Sequence, residues 1–118
     1  MNHIAKGEKG EQSAANFLKK HGYVIVATQY RAKTGEIDII AKDKDCLVFV
    51  EVKTRSSTLY GFPAEAVNYR KQRKIINTAL CFIKQQGITD SACRFDILEV
   101  YLQKDTTQYN HIINAFGD

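Results

Sequence analysis

EIDIIAKDKDCLVFVEVKT, from Glu36 to Thr54, decides how the whole chain is read. Glu36 to Ala41 reads as a strand, Lys42 to Asp45 as a tight polar loop, and Cys46 to Thr54 as the next strand. In the second strand, Cys46, Val48, Val50 and Val52 share one face, and Leu47, Phe49, Glu51 and Lys53 share the other. Both faces are apolar over the first half, as expected of a central strand covered on both sides. One face then turns abruptly to Glu51 and Lys53. Charges at the end of a buried strand are costly unless they are paired or bound to an ion.

A loop spanning Lys42 to Asp45 pairs Ala41 with Cys46 and Ile39 with Val48. It sets Asp38 opposite Phe49 and Glu36 opposite Glu51, so Glu36, Asp38, Glu51 and Lys53 project to one side. Asp38 is then diagonal to Glu51, at roughly 7–8 Å between backbones, within reach of one shared ion. Three carboxylates repel one another, and one lysine offsets them only in part, whereas a divalent cation offsets them well. The face assignment depends on loop length, because a change of one residue in register moves one strand's side chains to the opposite face.

Outward from this hairpin, residues 7 to 21 read as a helix with an apolar stripe of Ala14, Ala15, Phe17 and Leu18, stopped by Gly22. Tyr23 to Tyr30 reads as a strand and Ala32 to Gly35 as a turn. Pro63 marks the start of a helical pattern from Ala64 to Gln86, whose face is Ile76, Ala79, Leu80 and Ile83, with Gly87 as the stop. Arg94 to Leu102 is a further strand, and His111 to Ala115 a short edge strand. The order α-β-β-β-α-β predicts an α/β fold in which a mixed central sheet is flanked by helices. One domain over residues 1–118 is expected, with its core from about 7 to 102.

Composition narrows the class. Of the 118 residues 44% are hydrophobic and 25% charged, which argues against disorder, and no apolar run is long enough to span a bilayer. The polar segment from Met1 to Lys9 lacks the apolar stretch of a secretory signal. Cys46, Cys81 and Cys93 are too few and too scattered for a disulfide framework or a zinc site, and read as core residues. A reduced, cytoplasmic protein is expected. The net charge of +4 is a mild bias toward polyanions, sharpened by Arg70, Lys71, Arg73 and Lys74 within five residues.

Glu11 stands with Ala14, Ala15 and Leu18 at i, i+3, i+4 and i+7, at the end of the stripe that faces the sheet, whereas Glu8 reads as solvated. Either Glu11 complements the helix N-terminus or it is a fourth acidic group of the hairpin site.

The pieces Ile37-Asp38 and Glu51-Val52-Lys53, on adjacent strands of this element order, resemble the signature of the PD-(D/E)xK superfamily of restriction-endonuclease-like nucleases. Gly7-x-x-x-Glu11 is similar to the helix-borne glutamate of archaeal Holliday-junction resolvases. At finer grain the chain resembles the uncharacterised YraN/UPF0102 family through GEKGEQSAANFLKKHGY, GEIDIIA, LVFVEVKTRSS, GFPAEAV and RFDILEV. It departs at Gln29, where an asparagine is expected before Tyr30-Arg31.

The resemblance implies a resolvase-like fold and a metal-dependent endonuclease acting on DNA, including branched or repair intermediates. In that reading Asp38 and Glu51, with the Val52 carbonyl and Glu11, would hold Mg²⁺ or Mn²⁺. Lys53 would hydrogen-bond the attacking water and stabilise developing charge. Glu36 is expected either near the metal or paired with Arg31 or Arg55. Arg31, Lys33, Arg55, Arg70, Lys71 and Lys74 are candidate contacts for the phosphate backbone, and Tyr60, Gly61 and Phe62 lie in a loop that could cover the site or stack on bases. His3, His21 and His111 form no ligand pair. No membrane partner is expected. A homodimer would suit a junction with two scissile strands, although no apolar stripe marks its face. The alternative function is a nucleic-acid-binding or assembly module on a nuclease scaffold with little or no turnover.

Overall fold

Burial along the central strands is nearly continuous because a helix covers each face of one sheet. The computed structural model describes residues 3–56 and 67–117, running α1 (His3–Lys20), β1 (Val24–Ala32), β2 (Gly35–Asp43), β3 (Cys46–Ser56), α2 (Tyr69–Gln86), β4 (Ala92–Leu102) and β5 (Thr107–Phe116). The strands lie side by side in chain order. All neighbours are antiparallel except β3 and β4, which run parallel with α2 in the crossover. This is the expected α-β-β-β-α-β core with the terminal strand added, longer than foreseen at both ends. Neither helix is long and apolar enough to cross a membrane.

Each face has its own core. Ala14 and Leu18 of α1 pack on Ile39, Ala41, Val48, Val50, Leu98 and Val100. Ile75, Ala79 and Phe82 of α2 pack on Ile37, Ile40, Leu47, Phe49 and Ile97. Ile37 and Ile40 therefore share the α2 side, while Ile39 and Ala41 take the α1 side. The alternation slips next to Asp38, which bears on the site described below.

The structure corrects several sequence expectations, among them the start of α1, which is His3 rather than residue 7. The β2–β3 turn is the two residues Lys44 and Asp45, with Lys44 at φ 56°, because the ladder continues to Asp43 opposite Cys46. Ile39 thus faces Val50 and Ala41 faces Val48, a shift of two residues from the expected register. An even shift keeps Ile39 and Ala41 on the face of Val48 and Val50 as expected, whereas the slip at Asp38 carries Ile37 to the α2 side. Next, α2 does not run through Val67 and Asn68: Asn68 is extended and caps the helix, its Oδ1 accepting from the Lys71 amide at 2.8 Å. Pro63 and residues 64–66, like Tyr60, Gly61 and Phe62, lie outside the described residues. Finally, the buried stripe of α2 is Ile75, Ile76, Thr78, Ala79 and Phe82, and Leu80 is exposed. Of the cysteines expected in the core, Cys46 is half-buried and packs against the α1-side core, Cys81 is half-buried, and Cys93 is exposed.

The edge strand β5 is fastened through a buried carboxylate. Asp96, fully buried, accepts from His111 Nε2 at 2.8 Å, Arg94 Nε at 3.0 Å and the Asn114 amide at 2.9 Å. Burial alone would raise its pKa, but these donors outweigh burial and hold it below the usual carboxylate value. Arg94 continues to Asp43 at 3.1 Å and the Tyr23 hydroxyl, so one network ties β2, β4, β5 and the residue just before β1. His111, given no role from sequence, is thus structural.

Helix α1 lies close on the sheet at Gly10. A Cβ there would overlap the Thr54 hydroxyl and stand 2.8 Å from Thr54 Cγ2 and 2.9 Å from its Cβ. Gly10→Ala is expected to lower stability by roughly 1–3 kcal/mol through this overpacking. Urea denaturation should show the loss, and Thr54→Ala in the same chain should restore part of it.

Candidate active site

The β2–β3 ladder runs from Asp43–Cys46 to Ile39–Val50 and stops there. Beyond it, β2 pairs with β1 alone and β3 with β4 alone, so the two central strands part. In this register Asp38 and Glu51 are the first residues beyond the last pair, one on each lip of the notch. Parting leaves the Val52 amide without a strand acceptor. The Asp38 carboxylate takes that place, Oδ2 accepting from Val52 N at 2.8 Å. The notch is therefore held open by a side chain standing in for a backbone carbonyl.

Burial and charge make this carboxylate unusual. Asp38 is raised to about 7, first by burial and then by the negative charge of Glu51. The Val52 hydrogen bond opposes the rise, while Glu11 and a hydrogen bond with Glu51 add to it. Glu11, half-buried on α1, is also raised, mainly by burial, with Glu36, Glu51 and Glu8 adding. The acids thus form one electrostatic neighbourhood. Among the described residues, however, no three acidic, histidine or cysteine side chains converge as a ready metal cage.

Two partners missed from sequence shape this neighbourhood. Gln29 donates its side-chain amide to Glu11 Oε1 from a backbone at φ 52°, a left-handed conformation uncommon for a residue with a Cβ. The position expected to hold asparagine is thus the one that fixes Glu11. The second partner is Lys71, whose Nζ lies 2.6 Å from Glu51 Oε2. Glu51 is 8% exposed at its side chain and Lys71 47%, so the ammonium reaches in from α2 to a buried carboxylate. Burial would lower the Lys71 pKa, but the hydrogen bond and charge of Glu51, with Asp38 and Glu36, keep it raised.

The other sequence candidates divide. Lys53 lies two residues beyond Glu51 on the same strand face, half-buried and in register with Glu99 of β4. Glu36 pairs with Arg31 at 3.1 Å on the surface, one of the two arrangements expected of it. Arg55, expected as a phosphate contact, turns its guanidinium inward to the fully buried Glu99, with Nη2 3.6 Å from Oε2. Neither of these two atoms makes a hydrogen bond among the described residues. The other Glu99 oxygen accepts from Asn110 at 2.7 Å.

Lys71, expected as a phosphate contact, reaches Glu51 while also lining the cleft beside it. Arg70 and Lys74 do line a cleft of about 400 Å³, with Asn68, Ile75, Gly35 and Glu36. A second cleft of about 380 Å³ shares Gly35, Glu36 and Lys74 and adds Arg31 and Lys33. A cation-rich trough thus adjoins the acidic notch, and no acid in the first turn of α2 interrupts it.

Residues 10–100 match the family described as "Uncharacterised protein family UPF0102". The chain is 46% identical to a UPF0102 protein of Clostridioides difficile (strain 630), covering 98% of this chain and all of that relative. It is 48% identical to one from Clostridium acetobutylicum, over 93% of this chain and 92% of the relative. A UPF0102 protein of Caldanaerobacter subterraneus subsp. tengcongensis is 44% identical, with 98% of both chains covered.

The raised Asp38 pKa sets a direction for stability. Between about 4, where the unfolded carboxyl ionises, and about 7, the folded form keeps its proton, so stability falls as pH rises through this window. From pH 5 to pH 8 in chelator, the wild type should lose about 1–3 kcal/mol more than Asp38→Asn. Urea midpoints of both proteins at the two pH values measure this. Parallel profiles would mean that Asp38 titrates normally.

Proposed function

This chain belongs to the uncharacterised family UPF0102, and from that premise we propose that it is a metal-dependent endonuclease hydrolysing phosphodiester bonds in DNA. The observation that carries the proposal is the pairing of two carboxylates, half-buried Asp38 and buried Glu51, across a strand opening beside a cation-lined trough.

The donor set fits a hard divalent ion. Mg²⁺ is commonly held by one or two carboxylates with waters filling the remaining positions, so a cage of three protein acids is not required. Asp38 and Glu51 would hold it, and the charge between them that raises the Asp38 pKa would be offset by it. When bound, such an ion supplies a bound water of lowered pKa and polarises the phosphate. Glu11, steadied by Gln29, adds negative charge at the helix side. Lys53 would hold the attacking water by hydrogen bond and place positive charge near the developing oxyanion. Arg70 and Lys74 would grip the phosphates of the bound strand, orienting it across the notch. The Val52 amide, already spent on Asp38, keeps that carboxylate facing the opening.

Purified protein incubated with branched and single-stranded DNA should cut in Mg²⁺ or Mn²⁺ and stop with chelator. Asp38→Asn and Lys53→Ala should each lower the rate by about 10²-fold or more. Equal, chelator-insensitive background in wild type and Lys53→Ala defeats the enzymatic reading.

A second reading, a nucleic-acid-binding module with little turnover, is favoured by the Lys71 ammonium already seated on Glu51. It expects DNA binding that survives Asp38→Ala and weakens steeply with salt, without cleavage.

A further inference from the structure

We propose that Lys71 is the resident counter-cation of the notch and that a divalent metal ion displaces it. This rests on the metal-dependent reading. The ammonium sits 2.6 Å from Glu51 Oε2, on one of the two carboxylates that would hold the metal. Glu51 is buried and in contact with a second acid, so without a cation it would be an uncompensated charge. Lys71 supplies the compensation. The two cations also repel each other, so they compete for one carboxylate.

The location of Lys71 gives it somewhere to go. It stands in the first turn of α2, its side chain half-exposed, and it lines the same cleft as Arg70 and Lys74. A flexible lysine stem can swing the ammonium from Glu51 into that cleft without moving the backbone. There it joins Arg70 and Lys74 in facing a phosphate. Metal entry and the gain of a third phosphate-binding cation are thereby linked. By reciprocity, a polyanion in the trough that draws Lys71 away from Glu51 tightens metal binding. The device discourages metal occupancy in the absence of substrate.

The test follows both partners of the exchange. Mn²⁺ binding to the full chain, measured by electron paramagnetic resonance of the free ion, should be about 5-fold or more tighter in Lys71→Met than in wild type. Lys84→Met, in the last turn of α2 at the far end of the helix from Lys71, should stay within about 2-fold of wild type. In the wild type, an amine-reactive acetylating reagent followed by peptide mass spectrometry should label Lys71 more slowly than Lys74 without metal. Saturating Mn²⁺ should bring Lys71 close to the Lys74 rate. If Mn²⁺ binds the wild type but leaves Lys71 labelling unchanged, and Lys71→Met binds no tighter, the exchange is refuted while the metal site stands. If none of the three proteins binds Mn²⁺ at millimolar concentration, the metal-dependent reading falls and the exchange with it.

Discussion

The hydrogen bond from the Val52 amide to the Asp38 carboxylate is the constraint on which the site depends. Where two central strands separate, a run of backbone groups loses its partners in an environment too buried for water to satisfy them cheaply. A carboxylate on one lip answers the first orphaned amide on the other. That contact fixes the width of the opening. It also sets an acid at the sheet interior with one oxygen engaged, next to Glu51, which lies across from it. Charge accumulates there because the backbone arrangement requires an acceptor at that point.

The edge strand β1 and the helix α2 then supply the local counterweights. Gln29 holds Glu11 from β1, and Lys71 holds Glu51 from α2. A separate polar network around Asp96, on the α1 side of the sheet, is fully supplied with donors and keeps its carboxylate below the ordinary value. The contrast is instructive. Asp96 has three donors and behaves as a structural rivet, whereas Asp38 has one backbone donor and acidic neighbours, and its pKa moves the other way. Two aspartates in one small sheet, Asp96 buried and Asp38 half-buried, thus have opposite electrostatic characters because of what faces them.

Much of this was legible in residues 36–54. Alternation of apolar positions in Cys46–Thr54 identified a central strand, and the charges at its end identified where the covering changes. The turn was misjudged by two residues because Lys42 and Asp43 are as polar as the loop they precede, so composition could not separate strand end from turn. The even error kept Ile39 and Ala41 on their expected face, but nothing in the composition marks the slip at Asp38 that carries Ile37 to the other. For α2, the spacing of Ile76, Ala79 and Ile83 was compatible with Leu80 in the stripe, and only packing selects Phe82 instead, through its edge-on contacts with Tyr30 and Phe49. The same limit hid Lys71, whose direction depends on how the helix is rotated about its axis. Position 29 stood out only as a departure from an expected asparagine, and glutamine itself does not advertise a left-handed backbone.

The single parallel junction in the sheet has a consequence for assembly. The first three strands form a meander of near neighbours, while β4 must find β3 across the whole intervening helix, Cys46 meeting Ala92. During synthesis the lips of the notch emerge early, yet the wall that completes the sheet arrives only after α2 has left the ribosome. Half the molecule waits with an unsatisfied hydrogen-bonding edge, a vulnerable interval that short chains with only sequential hairpins never face.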